Sequence, residues 1–312
     1  MQREVSRERK TSIGGQALME GLLMVGPERT AMAFLLPDKE IRLEWVKAPC
    51  RRSRIPFLRG IINLFSQLKT GMAALMRSAE IQEAAEAPET ARPAADGRVR
   101  DTITKSLLFA FSIFLGLGLF ILLPSLVTSA ILALGAPPRQ SYGLSFAYNL
   151  LEALIRMSIL VLYMWITSKQ KDIFRVWQFH GAEHKTIACY EACQELTVEN
   201  VRRFSRFHPR CGTSFLIVIV FISALVYSLV GWHDVWINLL FRLLMLPVIA
   251  GLAYELLRFS GAHSATWYGR ILAAPGLWLQ RLTTREPEDE MIRVAICAME
   301  AVIPEEAGRD AW

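Results

Sequence analysis

Residues 106–138 read SLLFAFSIFLGLGLFILLPSLVTSAILALGAPP, without one charged side chain. Hydrocarbon offers no water to the backbone, so a run of this kind crosses a bilayer as a helix and needs about 20 residues to do so. The run therefore holds one long helix, or one helix with a re-entrant end, and is too short for two. Pro124 inside it predicts a kink. Three more apolar runs follow, at 144–167, 214–231 and 236–257. The second is interrupted by Glu152 and Arg156, and the fourth carries Arg242 and Glu255. Hydrophobic residues make up 53% of the chain and charged ones 21%, and the clustering of the former makes that balance a membrane signature. The predicted fold is an α-helical integral membrane protein with four transmembrane helices.

Basic residues set the direction of the spans, because Lys and Arg are retained on the cytoplasmic side. Arg98, Arg100 and Lys105 precede the first run, and only Arg139 stands between the first and second. Between the second and third lie Lys169, Lys171, Arg175, Lys185, Arg202, Arg203, Arg206 and Arg210. The loop Trp232-His233-Asp234-Val235 has no Lys or Arg, and Arg258, Arg270, Arg281 and Arg285 follow the fourth run. This alternation puts both ends in the cytoplasm and leaves two short outer loops. The net charge of +6 then reports topology, and no nucleic-acid partner is expected. MQREVSRERK is basic but leads into no apolar core, so no cleavable signal peptide is expected. The five cysteines (Cys50, Cys189, Cys193, Cys211, Cys297) fall on the reducing side, where metal binding or packing is expected in place of disulfides.

The polar stretches divide accordingly. Residues 1–54 form an N-terminal cytoplasmic segment. Within it Gly14-Gly15-Gln16-Ala17-Leu18-Met19-Glu20-Gly21 reads as a glycine-bounded loop. TAMAFLLPDKEIRLEWV at 30–46 alternates around Pro37-Asp38-Lys39 as a β-hairpin. Residues 55–78 suit an amphipathic helix lying on the inner leaflet. Residues 79–104, rich in Ala, Glu and Pro at their start, read as a flexible linker. Residues 105–257 are the four-span domain, with its cytoplasmic loop at 168–213, and 258–312 form a cytoplasmic tail. The tail holds a second interfacial candidate at 271–282. Beyond Pro287 a helix is predicted with Met291, Val294, Ala295, Ala298 and Met299 on one side.

His180-Gly181-Ala182-Glu183-His184 is the constellation that can carry chemistry. On a helix, residues four apart project from one face, so two imidazoles can share one divalent ion, zinc first among candidates. A glutamate between them can orient or deprotonate a water held there, as in the H-x-x-E-H pattern. Such sites take a further ligand from downstream. Glu255, at the end of the fourth run, His208 and Cys211 all sit at the same interface. Two histidines on a basic loop are the bland alternative. Cys189, Cys193, His208 and Cys211, spaced C-x3-C…H-x2-C, form a competing closed set that would serve folding alone. Glu152, Arg156 and Arg242 read as a buried ion pair locking the spans, or as a functional intramembrane cluster.

GGQALMEG, HGAEHKTIACYE, ENVRRFSRFHPRCGTSF and LQRLTTREP, in that order, resemble the YqhQ family of bacterial membrane proteins over most of the chain, from about Ser12 to Ala298. The resemblance implies a multi-pass protein of the bacterial inner membrane that is sometimes described as a metal-dependent enzyme. It singles out Gly15, Gln16, Glu20, His180, Glu183, His184, Lys185, Tyr190, Glu191, His208, Arg210, Cys211, Glu255, Gln280 and Thr284. In the expected enzyme His180, His184, His208, Cys211 and Glu255 supply the metal ligands. Glu183 is the base, and Lys185 and Arg210 hold an anionic group. The reaction would be hydrolysis of a peptide, a lipid or a small amphiphile. Two other classes stay open: a non-catalytic assembly or regulatory scaffold with a protein partner, and a small-solute or ion transporter. A homodimer is compatible with any of the three.

Overall fold

The computed structural model describes residues 9–47, 55–86, 107–135, 142–306 and 308–311. Cys50, Arg98, Arg100, Lys105, Arg139 and the linker beyond residue 86 lie outside these residues. The chain divides into two compact units. The first gathers three stretches far apart in sequence: the N-terminal part to residue 86, residues 164–214 and residues 255–312. The second comprises residues 87–163 and 215–254.

The first unit is built on four antiparallel strands in sequential order: β1 (Gly14–Leu18), β2 (Gly21–Val25), β3 (Thr30–Leu35) and β4 (Ile41–Val46). The expected hairpin is present as β3 and β4, paired from Thr30↔Val46 to Leu35↔Ile41. The GGQALMEG segment is no loop: it is β1, the tight turn at Met19-Glu20, and the first residue of β2. Glu20 holds a φ of 49° in that turn. Sequence patterning missed β2 because both of its faces are covered, which erases the alternation of a half-buried strand. Leu22 and Met24 pack with Phe179, Ala182, Met291, Val294, Ala295, Ala298 and Met299 on one face. Leu23 packs with Leu18, Met32, Phe34, Ala74 and Ile81 on the other.

Three helices supply those covers. Helix α1 (Leu58–Glu86) runs eight residues past the predicted end of the interfacial helix, into the expected linker. It buries Gly71, Ala74, Ser78 and Ile81 at helical spacing against the sheet, while Leu58, Ile62, Phe65 and Leu68 stay exposed. Helix α4 (Lys171–Glu191) and helix α9 (Asp289–Val302) cover the other face, α9 with the side predicted from its sequence. Helix α8 (Trp267–Thr283) buries Ala273, Gly276, Leu279, Gln280 and Thr283, and leaves Trp267, Ile271 and Trp278 exposed. Thr284 ends α8, its N–H and hydroxyl both donating to the Gln280 carbonyl. A short helix, α5 (Val198–Arg202), lies between α4 and Cys211 in sequence. The two ends of the unit meet: Thr11 bridges to Ala311, the Ser12 N–H donates to the Asp310 carbonyl, and Arg9 pairs with the Asp310 carboxylate.

Among the described residues three helices are long and apolar enough to cross a membrane: α2 (Leu107–Leu134), α3 (Tyr142–Thr167) and α7 (Val235–Ala262). The third predicted span is helix α6 (Ser214–Val230), apolar but only 17 residues long. In α2 a π-helical turn, Gly118–Leu122, comes immediately before Pro124, where the kink was expected. Proline has no N–H to give the carbonyl of Phe120 four residues earlier. Arg156 Nε donates to that carbonyl instead, at 2.9 Å.

Phe179 is fully buried between sheet and helices. Its replacement by alanine is expected to lower stability by about 3–5 kcal/mol. Thermal unfolding of the full chain in mild detergent tests this beside exposed Lys69→Ala, and equal midpoints for the two variants would refute this account of the core.

Candidate functional site

Helix α4 buries Gln178 through Ile187 without a break, and that stretch contains His180, Glu183, His184, Lys185 and Thr186. Glycine makes the approach possible. A Cβ at Gly181 would lie 2.0 Å from the Arg285 carbonyl oxygen, so α4 packs directly on backbone there. Arg285 N–H donates to the Trp177 carbonyl at 2.8 Å, and Gln178 donates to the Glu286 carbonyl at 3.1 Å. Across the helix, a Cβ at Gly15 would crowd the Leu23 carbonyl and the Glu183 carboxyl. Without one, the Gly15 N–H reaches Glu183 Oε1 at 3.0 Å.

His180, His184 and Cys211 come together, all buried, with one ligand atom from each lying within 4.8 Å of the others. His180 Nδ1 is 2.7 Å from the Thr283 carbonyl, and His184 Nδ1 is 2.6 Å from the Arg206 carbonyl. A carbonyl only accepts, so each Nδ1 carries a proton, and Nε2 is the nitrogen of each ring left to face a ligand. His180 Nε2 faces Cys211 Sγ at 3.2 Å. Thr213 adds its hydroxyl at 3.1 Å and its N–H at 3.4 Å from that sulfur. Carbonyls that fix the tautomer and orientation of two imidazoles are the usual surroundings of metal-binding histidines. Two histidines and a cysteine also make a donor set suited to zinc, with a fourth position left for another ligand.

The charges respond to the burial. Burial opposes charge on His180, but the Cys211 sulfur outweighs it and the imidazole is pushed up to about 9. Burial also resists ionisation of Cys211, yet His184 and His180 together hold the thiol well below its ordinary value. Glu183 moves the other way: burial pushes its carboxyl up, against the pull of both histidines.

The remaining predicted residues occupy other places. Glu255, the expected carboxylate ligand, is held by Arg59 and by the Phe57 N–H at 3.0 Å, and stands outside the His–His–Cys group. His208 is also outside it. Its ring packs 5.6 Å from that of His184, and its Nε2 lies 3.5 Å from Glu191. Burial lowers the His208 imidazole. Lys185 pairs with Glu286 at 2.7 Å and Arg210 with Glu191, so both expected anion holders already have internal partners. Burial would push the Glu191 carboxyl up, but His208, Arg210 and the Thr11 N–H bring it below its ordinary value. The closed cysteine set is not assembled: Cys189 sits in an apolar cluster with Val201 and Ile292, and Cys193 is exposed. Tyr190 lies under Arg9, 5.0 Å from guanidinium carbon to ring centre. Gln280 locks the backbone of His208, its Oε1 accepting at 2.8 Å and its Nε2 donating at 2.9 Å. Glu20 pairs with Arg175, and Gln16 packs against Gly71 of α1. Sequence reasoning missed Thr283, Arg206 and Thr213. The first two act through backbone carbonyls, which no side-chain pattern reveals, whereas Thr213, two residues after Cys211, was open to detection.

The family model described as "Protein of unknown function (DUF1385)" matches residues 55–305. "Uncharacterized protein YqhQ" of Bacillus subtilis (strain 168) is 33% identical over 297 residues, covering 91% of this chain and 89% of that protein. No solved structure matches.

Gly181→Ala should force α4 off the Arg285 carbonyl and cost about 1–3 kcal/mol. Gly14→Ala meets nothing within 4 Å and serves as control. Maleimide labelling of Cys211, slow in the parent protein, is expected to accelerate only in Gly181→Ala; unchanged labelling there would mean that the close approach is dispensable.

Proposed function

We propose a metal-dependent reaction at the cytoplasmic face of the bacterial inner membrane for this chain, which belongs to the DUF1385 family of proteins of unknown function and is a relative of the YqhQ protein of Bacillus subtilis. The observation that carries the reading is the buried His180–His184–Cys211 group with its imidazoles held by backbone carbonyls. Nε2 of each histidine and Sγ of Cys211 would hold a divalent ion, zinc by donor type. Bound there, the ion would supply Lewis acidity and lower the pKa of a water.

The residues of the chain do the rest. Thr283 and Arg206 keep both rings in the ligating tautomer, and Thr213 orients the sulfur. Glu183 follows His180 by three residues, and Gly15 fixes one of its oxygens. From there it would serve as general base, taking a proton from the attacking group and returning it to the leaving one. A peptide, a lipid or a small amphiphile at the inner leaflet would be the substrate. Membrane insertion through α2, α3 and α7, with α6 as a fourth and shorter span, agrees with their length and composition. The exposed Leu58, Ile62 and Phe65 of α1, and Trp267, Ile271 and Trp278 of α8, suit an interfacial position with both termini in the cytoplasm. The complete burial of the three ligands supports a second reading, in which the metal stiffens a non-catalytic scaffold that binds a protein partner.

Metal content of the purified protein tests the centre on which both readings rest. Near-stoichiometric zinc is expected in the parent protein, and its loss in the His180→Ala/His184→Ala double variant. Glu183→Gln should keep the metal. An empty parent protein would refute the metal centre, and loss of metal in Glu183→Gln would make that residue a ligand and not a base. If chelation lowers the unfolding temperature by several degrees while Glu183→Gln still complements a strain lacking the gene, the scaffold reading prevails.

A further inference from the structure

The described residues of the second unit contain a charge imbalance that they do not resolve among themselves. Among its described residues the buried charges are Glu152, Arg156 and Arg242, and Asp234 is exposed. Glu152 accepts from Arg156 Nη2 at 2.5 Å through one oxygen and from Arg242 Nη2 through the other. Arg156 is otherwise complete, with Phe120 O at 2.9 Å and Ser223 Oγ at 3.0 Å. Arg242 reaches Ser125 Oγ at 3.0 Å, but its Nε is buried with no hydrogen-bond partner, although the side chain is only 2% exposed. Two guanidiniums thus share one carboxylate among apolar helices. Guanidinium keeps its proton at any ordinary pH, so at least one positive charge is in excess. An uncompensated charge in such surroundings is costly, and nature pairs it.

A recess opens beside this arginine, lined by Asn149, Tyr227, Gly231, Asn238, Phe241 and Arg242, with Val230 at its edge. It has room for about one water-sized group. The faces of Tyr227 and Trp232 lie 5.5 Å from the Arg242 guanidinium carbon and soften the charge without cancelling it. Gly231, at a φ of 94°, follows the end of α6 and lines the recess.

We propose that this recess binds one small monovalent anion of halide size, with Arg242 as its principal partner, and that the anion supplies the charge missing from the Glu152–Arg156–Arg242 cluster. The site belongs to a unit separate from the His–His–Cys group and does not depend on a metal there. A phospholipid phosphate has related chemistry on a frame too large for the recess.

The test is the apparent unfolding temperature of the full-length protein in mild detergent at constant ionic strength. Sodium gluconate, whose anion is too large to enter, is the reference salt. Exchange into chloride or bromide should raise the midpoint saturably, by a few °C. Val230→Phe fills the recess without removing a hydrogen bond and should abolish the rise. Arg242→Gln leaves a balanced Glu152–Arg156 pair, so it should fold in gluconate and give one midpoint in all three salts. Equal midpoints of the parent protein in gluconate, chloride and bromide would overturn the proposal. So would a halide response that survives Arg242→Gln, or a rise in gluconate on adding phosphatidylglycerol with none on adding chloride.

Discussion

A helix that buries histidine, glutamate, histidine, lysine and threonine within one stretch must find a partner for every polar atom, because an unpaired one costs about 1–3 kcal/mol. Apart from Thr186, whose hydroxyl donates to the Ala182 carbonyl of the same helix, α4 meets that demand from outside itself. Thr283 and Arg206 supply carbonyls, Gly15 an N–H, Cys211 a sulfur and Glu286 a carboxylate. These partners come from the first strand, from the segment after α5, and from the end of α8 and the residues that follow it. The three stretches of the first unit converge because one helix makes them necessary to one another. The apolar packing of Phe179 and Ala182 on the sheet supplies the drive, and the polar partners specify the register.

Much of this was legible in the residues. The apolar runs, the β3–β4 hairpin with its turn, the buried side of α9 and the pairing of His180 with His184 all follow from periods of two or 3.6 residues. The reading failed where two layers cover one element. In β2, GLLMV has no polar face to betray a strand, and β1 was taken for a loop because its glycines serve close approach to neighbouring backbone. Glu255 misled for a different reason. Depth along a helix says that a carboxylate is near an interface, but not which cation it meets, and here that cation is Arg59 of α1.

The two units solve the problem of buried polarity differently. The first distributes it over backbone groups drawn from many segments. The second concentrates it in side chains: one carboxylate between two guanidiniums, with Ser125 and Ser223 as secondary acceptors. Pro124 belongs to that second solution, since it has no N–H to give the Phe120 carbonyl four residues earlier, and Arg156 donates to that carbonyl. Removing that proline would return Phe120 to its own helix and compete with the ion cluster for the same acceptor.

The meeting of residues 9–12 with residues 308–311 also constrains biosynthesis. The four strands leave the ribosome long before α9, which shares the cover of one face of their sheet with α4. Until α4 and then α9 have followed, the sheet presents Leu22, Met24, Ala31 and Ala33 without their full cover. A chain cut short before α9 would keep α4 on that face but leave bare the apolar surface that Met291, Val294, Ala295, Ala298 and Met299 cover.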